Sequence, residues 1–309
     1  MRSRVVGIIR ADRSDAAAVS WACDYVIRGD DLHLVAAYRE LTVSGMRWFP
    51  ALRAADAHRD EVRNAMARAA ADGRRQVPER VDFGVSVVAT DRSALIRDVV
   101  CVADVVVIGV PSTAPDRFAV GEAKRLVRGF SDVVAHRGVL VLVPERHEVD
   151  SETVVVPVRG ADLVAEVLDV AATAAGRRSG QVRVISVWAP ERAAEVDVDA
   201  ALREHTGTLE QRLDEWARQR RPEDCPPIVV EVVRTSMEAK FGRIAGGFGL
   251  VVIGNGRGPG AHDEITDAAV IAMERFAVPV MVANTAQYAA GGATDAAGSG
   301  QPDVAAAQR

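Results

Sequence analysis

The sequence has little of what membrane, secreted and nucleic-acid-binding proteins require. Its three cysteines are widely spaced and form no CxxC pair, which argues against a disulfide framework and a cysteine zinc site. No uncharged apolar run approaches the ~18 residues of a membrane span, and Arg10 interrupts the N-terminal apolar run too early for a signal peptide. With 38 Lys and Arg against 43 Asp and Glu, the net charge is -5. Without a general cationic surface, the chain is predicted to be cytoplasmic, with neither nucleic acid nor a membrane as partner.

The usual sequence marks of catalysis are also missing. The six histidines show no metal-ligand spacing, and GxSxG does not occur. A phosphate loop with a positioned metal carboxylate, which an adenylyl transferase or an ATP hydrolase would need, is not visible. The prediction is therefore a protein that is not an enzyme, with no catalytic residue and no metal site.

What the sequence does contain is an internal repeat. Residues 87–109 align without a gap on residues 232–254, an offset of 145. The offset drifts to 149 and 150 where residues 5–10 align on 154–159 and residues 32–38 on 182–188. A length of 309 residues suits two domains, so the repeat predicts one at 1–148 and its copy at 149–285. The remaining 286–309 is rich in Ala, Gly and polar residues, which predicts a disordered tail.

Short β-branched runs alternate with longer amphipathic segments in both copies, the pattern of βα units in a parallel sheet. The predicted strands are 4–9, 32–38, 83–89, 104–108 and 139–143, and then 153–158, 182–188, 228–234, 250–253 and 278–282. The predicted helices of the first copy are 15–28, 51–75, 93–102 and 122–136. Apolar runs such as 105–108 are typical of strands covered by helices on both faces. The fold class is therefore α/β, with two tandem five-stranded, parallel, doubly wound domains.

The last strand of each copy, 139–143 and 278–282, is strongly apolar and is expected at a sheet edge. Exposed edges of this kind invite aggregation, and pairing the two strands with each other covers both. The sequence thus predicts an intramolecular pseudo-dimer and leaves open a further homodimer.

The long connection 39–50 is interpreted as packing on its own domain, with a lid or a contact surface as the alternative.

Ligands of open α/β sheets bind at the carboxyl ends of the strands, where the strand order reverses. If the first and fourth strands are adjacent, this point lies between Arg10 and Gly109 in the first copy and between Arg159 and Gly254 in the second. A glycine-containing loop follows the fourth strand of each copy and leads into a helix, an arrangement that can hold an anion with backbone N–H groups.

These residues resemble the universal stress protein family in its tandem form, over about residues 4–143 and 153–283. The similarity lies in the run Val5 to Ile9, in Trp21-Ala22 on the following helix, and in the strand ends 106–109 and 251–254. The resemblance implies a Rossmann-like fold of the adenine nucleotide alpha hydrolase type. It also implies an ATP site, in which an Asp after the first strand holds the base and ribose and a Gly-x2-Gly-x9-Gly-Ser/Thr loop holds the phosphates.

The sequence departs from this pattern at the positions that would bind the nucleotide. Arg10 and Arg159 stand where the Asp is expected. In the first copy Ser112 replaces the second Gly of the loop and Gly121 comes one residue early; in the second, Gly258 flanks the position instead of occupying it. The candidate ligand-binding residues are Arg10, Gly109, Ser112, Gly121, Arg159, Gly254 and Gly258.

The leading hypothesis is a cytoplasmic stress-response protein that acts as a binding or regulatory module through protein partners that the sequence does not identify, with degenerate nucleotide pockets and no cofactor. Arg10 is interpreted as pairing with a local carboxylate such as Asp12 and filling its own pocket. The alternative is that the first domain retains ATP, AMP or another anionic metabolite, since an arginine can form a two-pronged hydrogen bond to an acidic group.

Overall fold

The computed structural model of the chain describes the residues that form its sheet and four of its helices. The described residues are 2–38, 49–90, 94–95, 98–99, 102–111, 138–146, 151–159, 163–188, 197–222, 225–234, 248–254, 272–273 and 276–283. The predicted tail 286–309, most of the connection 39–50 and the predicted helix 122–136 lie outside them. Of the predicted helix 93–102, the described residues 94–95 and 98–99 are helical.

Ten strands form one sheet in the order β3-β2-β1-β4-β5-β10-β9-β6-β7-β8. The strands are β1 (Arg4–Ile9), β2 (Asp31–Tyr38), β3 (Asp82–Ala89), β4 (Val105–Val110), β5 (Val139–Pro144), β6 (Val154–Arg159), β7 (Val182–Val187), β8 (Ile228–Val233), β9 (Leu250–Gly254) and β10 (Val280–Ala283). The helices are α1 (Asp15–Tyr25), α2 (Phe49–Gln76), α3 (Ala165–Arg177) and α4 (Val198–Arg218). We call β1–β5 with α1 and α2 the first lobe, and β6–β10 with α3 and α4 the second lobe. The fold class predicted from the sequence, a duplicated doubly wound α/β arrangement, is confirmed.

The hydrogen-bond registers show that the two lobes are copies of one arrangement. In the first lobe Val5 lies between Leu32 of β2 and Val105 of β4. In the second, Val154 lies between Val182 of β7 and Leu250 of β9. These pairs reproduce the sequence offsets of 149, 150 and 145, so Arg10 and Arg159 occupy equivalent positions in space.

The lobes meet where β5 and β10 pair antiparallel, as predicted for the last strand of each copy. Val141 faces Met281, and Leu142 faces Val280. Because Val141 and Met281 are equivalent in the two lobes, exchanging the lobes leaves this register unchanged. The strand begins at Val280 and not at residue 278, since Pro279 has no N–H to donate to a ladder.

The core lies on both faces of the sheet and passes through both lobes. One cluster of buried side chains contains α1 and α3 together, and the other lines the opposite face of β4, β5, β9 and β10. Every residue of β4 and of β5 is buried, which explains their uninterrupted apolar sequence.

The helix α1 ends at Tyr25, three residues before its predicted end, and the turn that follows it contains Gly29 at a φ of 94°. None of the described helices is long and apolar enough to cross a membrane.

Candidate functional site

The candidate site of the first lobe lies at the carboxyl ends of β1 and β4, the adjacent strands at which the strand order reverses. Arg10 follows β1, and its Nη1 donates to the backbone oxygen of Gly109 on β4 over 3.2 Å. Its Nε lies 3.1 Å from Oδ2 of Asp12, and only 7% of the Arg10 side chain is exposed. The structure thus brings together two of the predicted site residues and contains the predicted ion pair with Asp12.

A second carboxylate, that of Asp15, lies inside the turn between β1 and α1. Its Oδ1 accepts the backbone N–H of Arg10 at 2.8 Å, and its Oδ2 accepts that of Asp12 at 3.2 Å. Ala11 between them has a φ of 62°, and a turn of this kind directs successive N–H groups toward an anion. Asp15 is 8% exposed. Burial raises the pKa of Asp15, and the hydrogen bonds from the turn amides offset part of this effect.

Two residues at the start of α1, Ser14 and Asp15, are not among the site residues predicted from the sequence. Ser14 is the N-cap residue of α1, but its side chain makes no capping hydrogen bond. Its Oγ donates instead to Oδ1 of Asp12. The capping pattern of Ser and Asp identifies such a turn in sequence, but it does not show which of the neighbouring carboxylates turns inward.

The start of α1 also packs tightly against the end of β4. A Cβ added to Gly109 would lie 2.5 Å from both the backbone oxygen and Oγ of Ser14. Gly109 is therefore required by close packing, a role independent of any ligand.

At the equivalent place in the second lobe, Arg159 is the last residue of β6 and Gly254 the last of β9. The N-cap of α3 is Val164, in extended conformation and with no side-chain capping bond. Neither Val164 nor Ala165, the positions equivalent to Asp15, carries a carboxylate. The two lobes therefore present different chemistry at the same point of the fold.

Comparison with known proteins identifies this architecture. The sequence matches no family model and no curated protein. The structure is similar to a universal stress protein from Archaeoglobus fulgidus, with a TM-score of 0.53 and 14% identity over 93% of this chain and 97% of that one. A putative universal stress protein from Pseudomonas aeruginosa matches with a TM-score of 0.50 and 13% identity over 96% of this chain and 98% of that one.

This is the universal stress protein fold. The structure is also similar to the cytoplasmic domain of a prokaryotic cation chloride cotransporter. That domain matches with a TM-score of 0.53 and 9% identity over 93% of this chain and 97% of its own. At these identities the comparisons show the universal stress protein fold, and the similarity extends over both lobes.

Several predicted ligand-binding positions of the universal stress protein fold lie outside the described residues. These are Ser112, Gly121 and Gly258, together with the side chain of Arg159. Among the described residues no group of three or more His, Cys, Asp or Glu could hold a metal ion.

The second lobe contains a polar pair that sequence reasoning missed. Ser186 of β7 and His205 of α4 lie with Oγ and Nε2 2.9 Å apart, and the Trp188 ring stacks on His205 at 6.0 Å between centroids. Burial lowers the pKa of His205, which favours the neutral imidazole. Ser186 is fully buried, so its hydroxyl is not open to a substrate. Ser186 and His205 come together only when α4 packs on β7, so no short sequence motif predicts the pair.

Proposed function

We propose that this chain is a tandem universal stress protein that acts in the cytoplasm as a non-enzymatic binding or regulatory module. Its fold over both lobes supports the family. The same fold forms the cytoplasmic domain of a transporter, which suits a module that acts through contact with other proteins. The protein partners are not specified by the residues at the site.

The single observation that supports the loss of nucleotide binding is that side chains of the first lobe, Asp15 and Arg10, already occupy the turn after β1. By the resemblance, the base and ribose of an adenine nucleotide would lie against this turn, beside Gly109, and would need open space and free hydrogen-bonding groups there. Two of the turn amides are bonded to Asp15, and the Arg10 guanidinium lies against Gly109. The described residues of the first lobe therefore do not fit the nucleotide, and we infer no cofactor there.

Calorimetric titration with ATP, AMP and cyclic AMP tests this proposal. We expect no binding heat and no thermal shift at about 1 mM ligand. The assay is sensitive enough: a Kd of about 10 µM would correspond to ~100-fold excess and stabilise the folded state by about 2.7 kcal/mol, several degrees in Tm.

The alternative, an anionic ligand held in the first lobe through Arg10, Gly109, Ser112 and Gly121, makes a different prediction. Binding heat would then appear in the wild type and disappear in Arg10→Ala, while Arg75→Ala on the exposed end of α2 would leave it unchanged. ATP turnover that depends on Arg10 would contradict the non-enzymatic assignment.

A further inference from the structure

A cluster of charged and aromatic side chains joins the two lobes beside the β5–β10 pairing. Arg177 at the end of α3 lies against the first lobe, where its Nη1 donates to Oδ2 of Asp30 at 2.5 Å and to the backbone oxygen of Tyr25 at 3.3 Å. Its Nη2 donates to Oγ of Ser3 at 2.7 Å. The side chains of Arg177 and Asp30 are 9% and 1% exposed. This is a buried ion pair whose two charges come from different lobes.

The neighbouring groups complete the contact. The Arg177 guanidinium lies 4.8 Å from the Tyr25 ring centroid, and that of Arg178 lies 5.6 Å from the Trp21 ring. The two rings are stacked, with centroids 4.9 Å apart. Two successive arginines of the second lobe therefore cover two stacked aromatic rings of the first.

Hydrogen bonds within the first lobe hold the Asp30 carboxylate in place independently of Arg177. Oδ1 of Asp30 accepts the backbone N–H of Ser3 at 2.9 Å, and Oδ2 accepts that of Ile27 at 3.0 Å. All three residues belong to the first lobe. The first lobe thus places the carboxylate of Asp30 in a fixed position on the face that the second lobe covers.

Neither lobe carries both halves of the cluster. The offset of 150 that relates β2 to β7 places Ile27 at the position of Arg177 and Gly180 at the position of Asp30. Gly29 and Ser179, which precede Asp30 and Gly180, both have positive φ and support this alignment. By the same offset, Ala175 and Ala171 replace the two aromatic residues.

The β5–β10 register alone does not distinguish the lobes. Since it is unchanged when the lobes are exchanged, the backbone pairing would also suit two first lobes or two second lobes from different molecules. Two first lobes would bury Asp30 opposite Ile27, and two second lobes would bury Arg177 opposite Gly180. A buried charge without its partner is strongly destabilising.

We propose that the Asp30–Arg177 cluster makes lobe pairing heterotypic, so that a first lobe accepts only a second lobe across the central strand pair. The surface formed by Ser3, Trp21, Tyr25 and Asp30 is a docking site for a helix that ends in two arginines. The cluster thereby prevents copies of the chain from joining through like lobes. This proposal does not depend on whether either lobe binds a nucleotide.

The test uses the full chain with a protease site introduced in the junction 145–150, so that both lobes remain present after cleavage. Native mass spectrometry of the cleaved wild type is expected to show pairs with one lobe of each kind and no like pairs. In Asp30→Asn/Arg177→Met the buried charges are removed, and like pairs are expected in near-statistical amounts. The control, Asp72→Asn/Arg75→Met, removes an exposed pair within α2 and should behave as the wild type.

Thermal unfolding of the uncleaved chain provides the second measurement. Arg177→Met and Asp30→Asn are each expected to lower Tm, the former by roughly 5–15 °C, and the double variant to lose less than the sum of the two. Like pairs in the cleaved wild type, cleaved wild-type lobes that separate, a double variant that forms only unlike pairs, or additive losses in Tm would each overturn the proposal.

Discussion

The two lobes share their strand registers but differ in the turns on either side of the strands. In the first lobe the Asp15 carboxylate accepts hydrogen bonds from the amides of its own turn, whereas α3 of the second lobe begins at Ala165 after an N-cap, Val164, without a side-chain capping bond. The turn before β2 carries the buried Asp30, and its counterpart before β7 carries Gly180. Duplication thus preserves the strand registers, while the turns at the ends of the strands carry different side chains in the two lobes.

The largest expected difference between the lobes concerns the charge that each supplies to their contact. Burial opposes ionisation of Asp30, but hydrogen bonds from Arg177 and from the amides of Ile27 and Ser3 outweigh it, and the pKa of Asp30 is lowered. A depressed folded-state pKa means that this stabilisation is complete above the unfolded value near pH 4 and is lost as the pH falls through the folded value. The other ionisable groups around the cluster are Arg178, Asp24, Tyr25 and Asp104.

We therefore expect acidification below about pH 4 to weaken the contact between the lobes, because protonated Asp30 no longer balances the charge of Arg177. The measurement is urea unfolding of the wild type and Asp30→Asn across pH 2–7. The difference in unfolding free energy between the two proteins should shrink as the pH falls. A difference independent of pH would show that Asp30 does not act as an ion in the contact.

The next largest effect is expected at the N-termini of α1 and α3. Asp15→Ala leaves the turn amides without their acceptor and removes the carboxylate near the start of α1, and we expect a loss of about 2–4 kcal/mol. The matched change in the second lobe, Val164→Ala, removes no hydrogen bond and should cost less than about 1 kcal/mol. Thermal unfolding of both variants measures the two losses. Equal losses would mean that the internal carboxylate does not stabilise the first lobe.

The strands were predictable from sequence because their signal is local. Runs such as 105–108 and 139–143 are apolar at every position, and only a doubly covered strand tolerates this. The ends of elements were less accurate where a single residue decides them. The run 278–282 is apolar throughout, yet Pro279 delays the start of β10 to Val280. The equivalence of Arg10 and Arg159 followed from the repeat and is confirmed by the registers.

The site was only partly predictable. The pair Arg10–Asp12 is local, and the sequence predicted it. The role of Asp15 depends on a left-handed Ala11, which no propensity for Ala predicts. The contact between Asp30 and Arg177 joins residues 147 positions apart, and it exists only once both lobes are folded and docked. The sequence pattern of one lobe does not indicate which charged residue of the other lobe will lie against it.

A smaller effect is expected where α1 meets β4. In Gly109→Ala the new methyl group would meet the backbone oxygen of Ser14, which moves only with the helix, so we expect a loss of about 1–3 kcal/mol. Gly207 within α4 has nothing within 4 Å of the corresponding position. Gly207→Ala should therefore stabilise the protein by about 0.5–1 kcal/mol. Denaturant unfolding of the two variants checks the opposite signs, and a stabilised Gly109→Ala would show that the packing is loose.

The smallest effect compares equivalent cross-strand pairs. In the first lobe Nε2 of His33 and Oγ of Ser86 are 2.9 Å apart, and the second lobe replaces this pair with Arg183 and Glu231, whose Nε and Oε2 are 3.8 Å apart. The registers place both pairs on the same diagonal between the second and third strands of a lobe. A half-buried hydrogen bond at this distance contributes about 1 kcal/mol, whereas a partly exposed ion pair contributes about 0.2–0.5 kcal/mol. Ser86→Ala should therefore lower the free energy of unfolding more than Arg183→Met, which keeps the aliphatic part of the side chain. The reverse order in urea unfolding would mean that the charged pair stabilises the second lobe more than the hydrogen bond stabilises the first.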